Sequence, residues 1–271
     1  MENLTWRQLH EPPIYDAVFG EGPFVAAAIH DGHFVRHEVA ELLALDDATR
    51  LREEDPYTGL LASVAPTRLI GLRSRFETDL NRPRDGAVYL APADAWGLDV
   101  WKSPPPPALI ERSLVGYDSF YAHVRGLLES LIARYGGFIV LDVHSYNHRR
   151  SGPESPAADI AANPEINVGT GSVDRVRWGP VVDQFMEGLQ SSKMIAGSRL
   201  DVRENVKFTG GNFSTWINQT FPNKGVAIAV EFKKTFMDEW SGVCDDPALQ
   251  DLRRALDTGA AAALGQLQGA R

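Results

Sequence analysis

A chain of 271 residues, 44% of them hydrophobic, is long enough for one large core, and nothing in its composition calls for a second, so one domain over residues 1–271 is expected. A formal net charge of -9 leaves no electrostatic footprint for nucleic acid or an anionic membrane surface, and no run of 18 or more apolar residues occurs. The single cysteine, Cys244, excludes an internal disulfide framework and a thiolate-rich zinc site, which leaves histidine and carboxylate as the ligands any metal would need.

The opening MENLTWRQLHEPP has neither the basic start nor the apolar stretch of a signal peptide, and a soluble cytoplasmic protein is expected. After this polar leader, Gly22 to His33 is a short apolar run closing on His30, read as a buried strand running into a loop. Val39, Leu42, Leu43 and Leu51 then recur near helical spacing, followed by the acidic Glu53, Glu54 and Asp55, which predicts a helix, an acidic loop and a second helical turn. The alternation in TRLIGLRSRFETDLNRPRDG predicts one or two strands ended by Asn81, Arg82 and Pro83. KSPPPPALIERS reads as a proline-rich connector in polyproline II conformation over the surface.

From Tyr117 to Tyr135, Phe120, Val124, Leu127, Leu128, Leu131 and Ile132 step by three and four, and Gly136 and Gly137 stop the helix they define. It feeds the strand FIVLDVH. Arg175 to Leu189 is a second long helix, Gly225 to Lys233 a second buried strand, and a terminal helix follows with Asp246 as cap and Pro247 in its first turn. Strands that are continuously apolar and alternate with helices indicate an α/β sandwich around a mixed, largely buried sheet.

Two apolar strands end in histidine, at His30 and His144. In open α/β sheets sites gather at the carboxyl ends of strands, so both imidazoles can converge on one crevice, and a catalytic zinc needs about three protein ligands. A structural histidine is the plainer reading of either one alone. The acidic loop offers Glu53, Glu54 and Asp55 as a third ligand, with His33 in reserve, and Asp142 lies on the face of His144 and can orient it. Glu231 sits in the apolar strand GVAIAVEFK, where a carboxylate is costly unless it is paired, with Lys233 or Lys234, or used as a base. Arg82 can grip a substrate carboxylate, Asn81 can add a donor, and Gly210 and Gly211 allow close backbone approach. No Walker A motif or dinucleotide fingerprint is present, and GTGS at Gly169 to Ser172 is too short for a phosphate loop.

Taken in order, IHDG, EEDPYTGLL, DLNRP, VLDVHS, NVGTG, NVKFTGG and AVEF followed by FMDE resemble the N-formylglutamate amidohydrolase family from about Phe24 to about Glu239. The family looks like a distant relative of the zinc carboxypeptidases, and the resemblance implies a three-layer α/β/α sandwich with a central mixed, mostly parallel sheet. It implies His30, Asp55 and His144 as zinc ligands, with Glu53 as the alternative to Asp55, and Glu231 as general base. It also implies that Asn81, Arg82, Asn205, Lys207 and Gly211 line the pocket of a small N-acyl amino acid carrying a free carboxylate.

The family commonly reads HAG after the first strand and an HSMPS-like segment after the second. This chain instead reads HDGH and HSYNHRRSG, which puts Tyr146, Asn147 and His148 at the rim. The resemblance therefore implies hydrolysis of a linear amide bond and leaves N-formyl-L-glutamate, another N-acyl amino acid or a small peptide as substrates. The rival readings are a carboxypeptidase-like peptidase and a carboxylate-binding protein that has lost its metal.

Overall fold

The computed structural model describes residues 11–192 and 199–269. Its centre is a seven-stranded sheet of order β1-β3-β2-β4-β7-β5-β6, formed by β1 (Tyr15–Val18), β2 (Phe24–Ala28), β3 (Thr67–Gly71), β4 (Phe138–Tyr146), β5 (Ile166–Gly169), β6 (Val202–Glu204) and β7 (Gly225–Lys233). The four middle strands β3, β2, β4 and β7 run parallel, β1 is antiparallel to β3, and β5 with its parallel neighbour β6 is antiparallel to β7. The sheet is mixed, as the alternation of strands and helices predicts, and mostly parallel, as the family resemblance implies.

The helices are α1 (His37–Ala40), α2 (Asp47–Glu53), α3 (Thr58–Leu61), α4 (Pro107–Tyr135), α5 (Arg175–Ser191), α6 (Asn212–Thr220) and α7 (Asp246–Gly269). Strand β4 is buried at every position because both of its faces are covered. Ile139, Leu141 and Val143 pack with α3, α5 and α7 on one side, whereas Phe138 and Val140 pack with Phe120, Val124 and Leu128 of α4 and Phe213 and Ile217 of α6 on the other. The two-residue period of a strand then puts Asp142 and His144 on the α4 and α6 side, beyond the last apolar residue of that face. Nine consecutive pairs join β4 to β7 and set His144 opposite Glu231.

Several sequence expectations change. The proline-rich segment is not a surface connector throughout: Pro106 caps α4 and Pro107 is its first residue, so the helix begins ten residues before Tyr117. Proline suits this position because its fixed φ is helical and a first-turn N–H has no partner to lose. Only Thr67–Gly71 of the alternating segment is strand; beyond it Arg73 and Arg75 turn to Glu77 and Asp79 instead of continuing the sheet. The cap of α7 is Asp245, which accepts from the Ala248 N–H at 3.1 Å, one residue before the expected Asp246. The short strands β1, β5 and β6 and helix α6 have no counterpart in the sequence reading. Among the described residues no helix is long and apolar enough to cross a membrane.

Candidate metal centre and active-site cavity

A cavity of about 640 Å³ opens where β2, β4 and β7 end, and His30, Asp55, His144, Asn81, Arg82 and Glu231 all stand on its wall. His30 and His144 arrive from the ends of β2 and β4. Asp55 comes from the loop after α2, whose backbone is tied to the end of β2 by a 2.9 Å bond from the Asp55 N–H to the His30 carbonyl. The three side chains are almost wholly buried.

One atom from each converges. His144 Nδ1 lies 3.0 Å and His30 Nδ1 3.4 Å from Asp55 Oδ2, and one donor atom from each residue falls within 4.8 Å of the other two. Four donors held tetrahedrally at zinc distances stand roughly 3.3 Å apart. His30 Nδ1 is buried with no well-formed hydrogen bond, its Asp55 contact at 3.4 Å being long, an expensive condition for an imidazole unless a cation takes that lone pair. The far nitrogens are both held by carboxylates, His30 Nε2 by Asp79 Oδ1 at 2.6 Å and His144 Nε2 by Asp142 Oδ1 at 2.8 Å. A carboxylate on the remote nitrogen fixes the ring and makes the free nitrogen a better ligand. Two imidazoles and one carboxylate, so oriented, fit a divalent metal.

Electrostatics follows from this crowding. Burial opposes ionisation of Asp55, but its hydrogen bonds and attraction to His144 and His30 outweigh that and hold its carboxyl well below the usual range. Burial also opposes protonation of His144, yet Asp142 and Asp55 push it well above its ordinary value. Glu231 stands opposite. Enclosure by protein pushes its carboxyl up to about 8; His144 opposes that rise, and Asp55 and Asp142 add to it. Neither neighbouring lysine pairs with it, since Lys233 donates to the Asn163 carbonyl and Lys234 to the Arg52 and Glu54 carbonyls. Burial lowers the Lys234 ammonium to about 8, against the opposing pull of Asp55, Glu53 and Glu239.

The remaining sequence candidates separate. Glu54 faces away, bound by Ser74 and, at 2.5 Å, by His33, which removes both from the ligand set; Glu53 reaches the cavity wall but its carboxylate is taken by Arg52 at 2.5 Å. Arg82 is partly exposed on the wall; its guanidinium donates to the Asp94 carbonyl at 3.3 Å, lies 4.0 Å from Asp79 Oδ2 and stands over the Tyr89 ring. Lys207 stands on the wall beside the Tyr146 and Phe208 rings. Asn205 is not among the residues of the wall; its amide holds the Thr170 N–H and hydroxyl at 2.9 and 2.8 Å. At Gly211 the close approach is by protein, because a Cβ there would lie 2.3 Å from the Asn81 amide. Tyr146 and Asn147 do reach the rim; His148 turns to Glu239.

Two residues on this network went unread in the sequence. Asp79 is gripped by Arg75 at 2.9 Å and by the Tyr89 hydroxyl, and Arg75 itself lines the cavity under the Trp96 ring. The signal available for Asp79 is its place two residues before Asn81 in DLNRP; Arg75, in a turn where the sequence alternation predicts strand, carries none.

The N-formylglutamate amidohydrolase family model matches residues 22–237. The chain belongs to that family. The likeness extends to structures. An N-formylglutamate amidohydrolase from Ralstonia eutropha JMP134 superposes with a TM-score of 0.76 at 16% identity, covering 95% of this chain and 100% of that one. A gene product of Agrobacterium tumefaciens gives 0.61 at 15% identity over 96% of each chain. A carboxypeptidase A from Helicoverpa armigera aligns more loosely, at 0.43 and 12% identity, over 89% of this chain and 61% of the other. No curated protein matches the sequence. The α/β fold with a mixed central sheet is thus that of the family, and the resemblance read from about Phe24 to about Glu239 coincides with the matched span.

Proposed function

We propose that this amidohydrolase-family chain acts as one catalytic domain that hydrolyses the linear amide bond of an N-formyl or other N-acyl amino acid with a free carboxylate. The observation that carries the reading is the convergence of His30 Nδ1, His144 Nδ1 and one Asp55 oxygen on the wall of the cavity that also holds Glu231. These three residues would hold zinc. Zinc in such a set supplies Lewis acidity, polarising an acyl oxygen and acidifying water.

The protein's own residues do the rest. Glu231 takes a proton from the water that adds to the acyl carbon and gives it to the departing nitrogen as the carbon–nitrogen bond breaks, releasing an amine and a carboxylic acid. Its elevated carboxyl pKa suits both halves of that transfer near neutral pH. Arg82 and Asn81 grip the substrate carboxylate, Arg82 through a guanidinium that is partly exposed to the cavity and only loosely held, by Asp79 at 4.0 Å and the Asp94 carbonyl at 3.3 Å. Arg75, enclosed beside Asp79, presents fixed positive charge toward the cavity, where an oxygen gains charge in the transition state. Lys207 and Gly211 complete the wall.

A cavity of about 640 Å³ is of the size that takes a drug-sized molecule. That volume leaves room for acyl groups larger than formyl, or for a small peptide, as companions to N-formyl-L-glutamate in any screen. The test combines metal analysis of the purified protein with such a panel. Expected are about one zinc per chain, lost in His144→Ala, and an activity that Glu231→Gln lowers by about 10²- to 10⁴-fold while zinc is retained. Absence of zinc even after its addition would overturn the metal chemistry, and full activity in Glu231→Gln would remove that residue from the proton transfer.

A further inference from the structure

Lys234 is a buried cation that the proposed reaction does not use. It is 1% exposed and follows the last residue of β7, the strand of Glu231. Its backbone N–H bonds the Tyr146 carbonyl at 3.0 Å, extending the pairing of β7 with the strand of His144. Its ammonium reaches the loop of Asp55, donating to the carbonyls of Arg52 at 2.6 Å and Glu54 at 2.7 Å. These belong to the end of α2, where helix carbonyls lack intrahelical partners and a cation is favoured. The Asp55 N–H is already held by His30, and its carbonyl by the Thr58 hydroxyl at 2.6 Å. Removing Lys234 frees the two carbonyls on the approach to Asp55, while the bonds of Asp55 itself remain.

We propose that Lys234 is a positioning residue that sets the Asp55 carboxylate against His30 and His144, an inference that rests on the zinc-site reading above. Without its ammonium, the Arg52 and Glu54 carbonyls are buried without a donor, the loop shifts, and the carboxylate no longer meets the two imidazoles. Groups that orient ligands from behind typically change metal affinity by about 10- to 100-fold when removed.

The test is zinc affinity, by competition with a chromophoric chelator, in a double-mutant cycle of Lys234→Met and Asp55→Ala. Lys234→Met alone should weaken zinc by about 10- to 100-fold, but by less than about 2-fold in the Asp55→Ala background, because the carboxylate through which it acts is gone. Lys233→Met is the control: that lysine is also buried but donates to Asn163, away from the Asp55 loop, and its replacement should leave zinc affinity unchanged. If Lys234→Met does not fold by circular dichroism, Lys234→Gln, which keeps a donor without the charge, enters the same cycle. Wild-type affinity in the variant, or equal weakening with and without Asp55, overturns the positioning role alone. A wild-type protein that takes up no zinc overturns the site reading and this role with it.

Discussion

The paired carboxylates behind His30 and His144 do different work from the carboxylate beside them. Asp79 and Asp142 accept from the remote nitrogens and so turn both Nδ1 atoms toward Asp55, whereas Asp55 offers its oxygen at the point where those atoms meet. Exchange of roles is prevented by geometry: Asp79 is locked by Arg75 and Tyr89, and Asp142 is fixed on the same strand face as His144. The single cysteine lies outside this network and has an environment of its own. Burial first, and then Asp246 and Asp245, push the Cys244 thiol from 9.0 up to about 11, disfavouring the reactive thiolate. At pH 8 its alkylation by iodoacetamide should therefore be about 100-fold slower than that of an unperturbed thiol. The rate should still rise about tenfold per unit between pH 8 and pH 10, where an ordinary thiol levels off. A plateau near pH 9 in the alkylation profile would contradict this.

Helix α6 shows how an element is completed by a residue distant in sequence. Its N-cap position is Gly211, which has no side chain to accept the first N–H groups; Asn81 takes that place, its Oδ1 accepting from the Phe213 N–H at 2.9 Å and its carbonyl from the Asn212 N–H at 3.2 Å. The other end of the same amide lies 3.3 Å from His144 Nε2, so the helix start and the site share one side chain. Gly211→Ala would drive a methyl into that amide, and an isolated move of Asn81 should lower kcat/KM by about 10- to 100-fold, as small misplacements near reacting groups do. The stability loss should stay near the 1–3 kcal/mol typical of overpacking, which urea denaturation measures separately. Unchanged kinetics would show that Asn81 holds the helix without serving the site. The sequence showed the two parts, an asparagine in DLNRP and a glycine pair before Phe213, as candidates for substrate contact; that they also touch each other is not visible in a linear pattern.

At the scale of the molecule, the parallel middle of the sheet gathers three strand ends on one side, and the centre is made of residues from β2, the α2 loop and β4. A metal bound there ties together segments up to 114 residues apart, His30 to His144, and stabilises the folded state by mass action. Zinc at 100 times its dissociation constant should contribute about 2.7 kcal/mol, read as a rise of several degrees in Tm that EDTA reverses. An unchanged Tm would count against a site that forms only on folding. The buried strands β2, β4 and β7, the long helices and the histidines at strand ends were legible in the sequence, because burial on both faces writes continuous apolar runs and a polar residue ending such a run stands out. The short strands β1, β5 and β6 were not, and the residue pattern alone left Glu53, Glu54, Asp55 and His33 open as third ligand, where only the family resemblance pointed to Asp55. Glu53 and Glu54 share the carboxylate chemistry of Asp55 and stand beside it in the chain, and the packing of the α2 loop decides which of the three faces the imidazoles; His33 is drawn off by Glu54. By itself the sequence determined the fold class and the kinds of ligand available, since periodicity and residue type are local properties. That Asp79 stands behind His30, that Asn81 joins the start of α6 to His144, and where Lys234 reaches were decided by the tertiary structure, because each depends on distances between segments that only the closed sheet brings together.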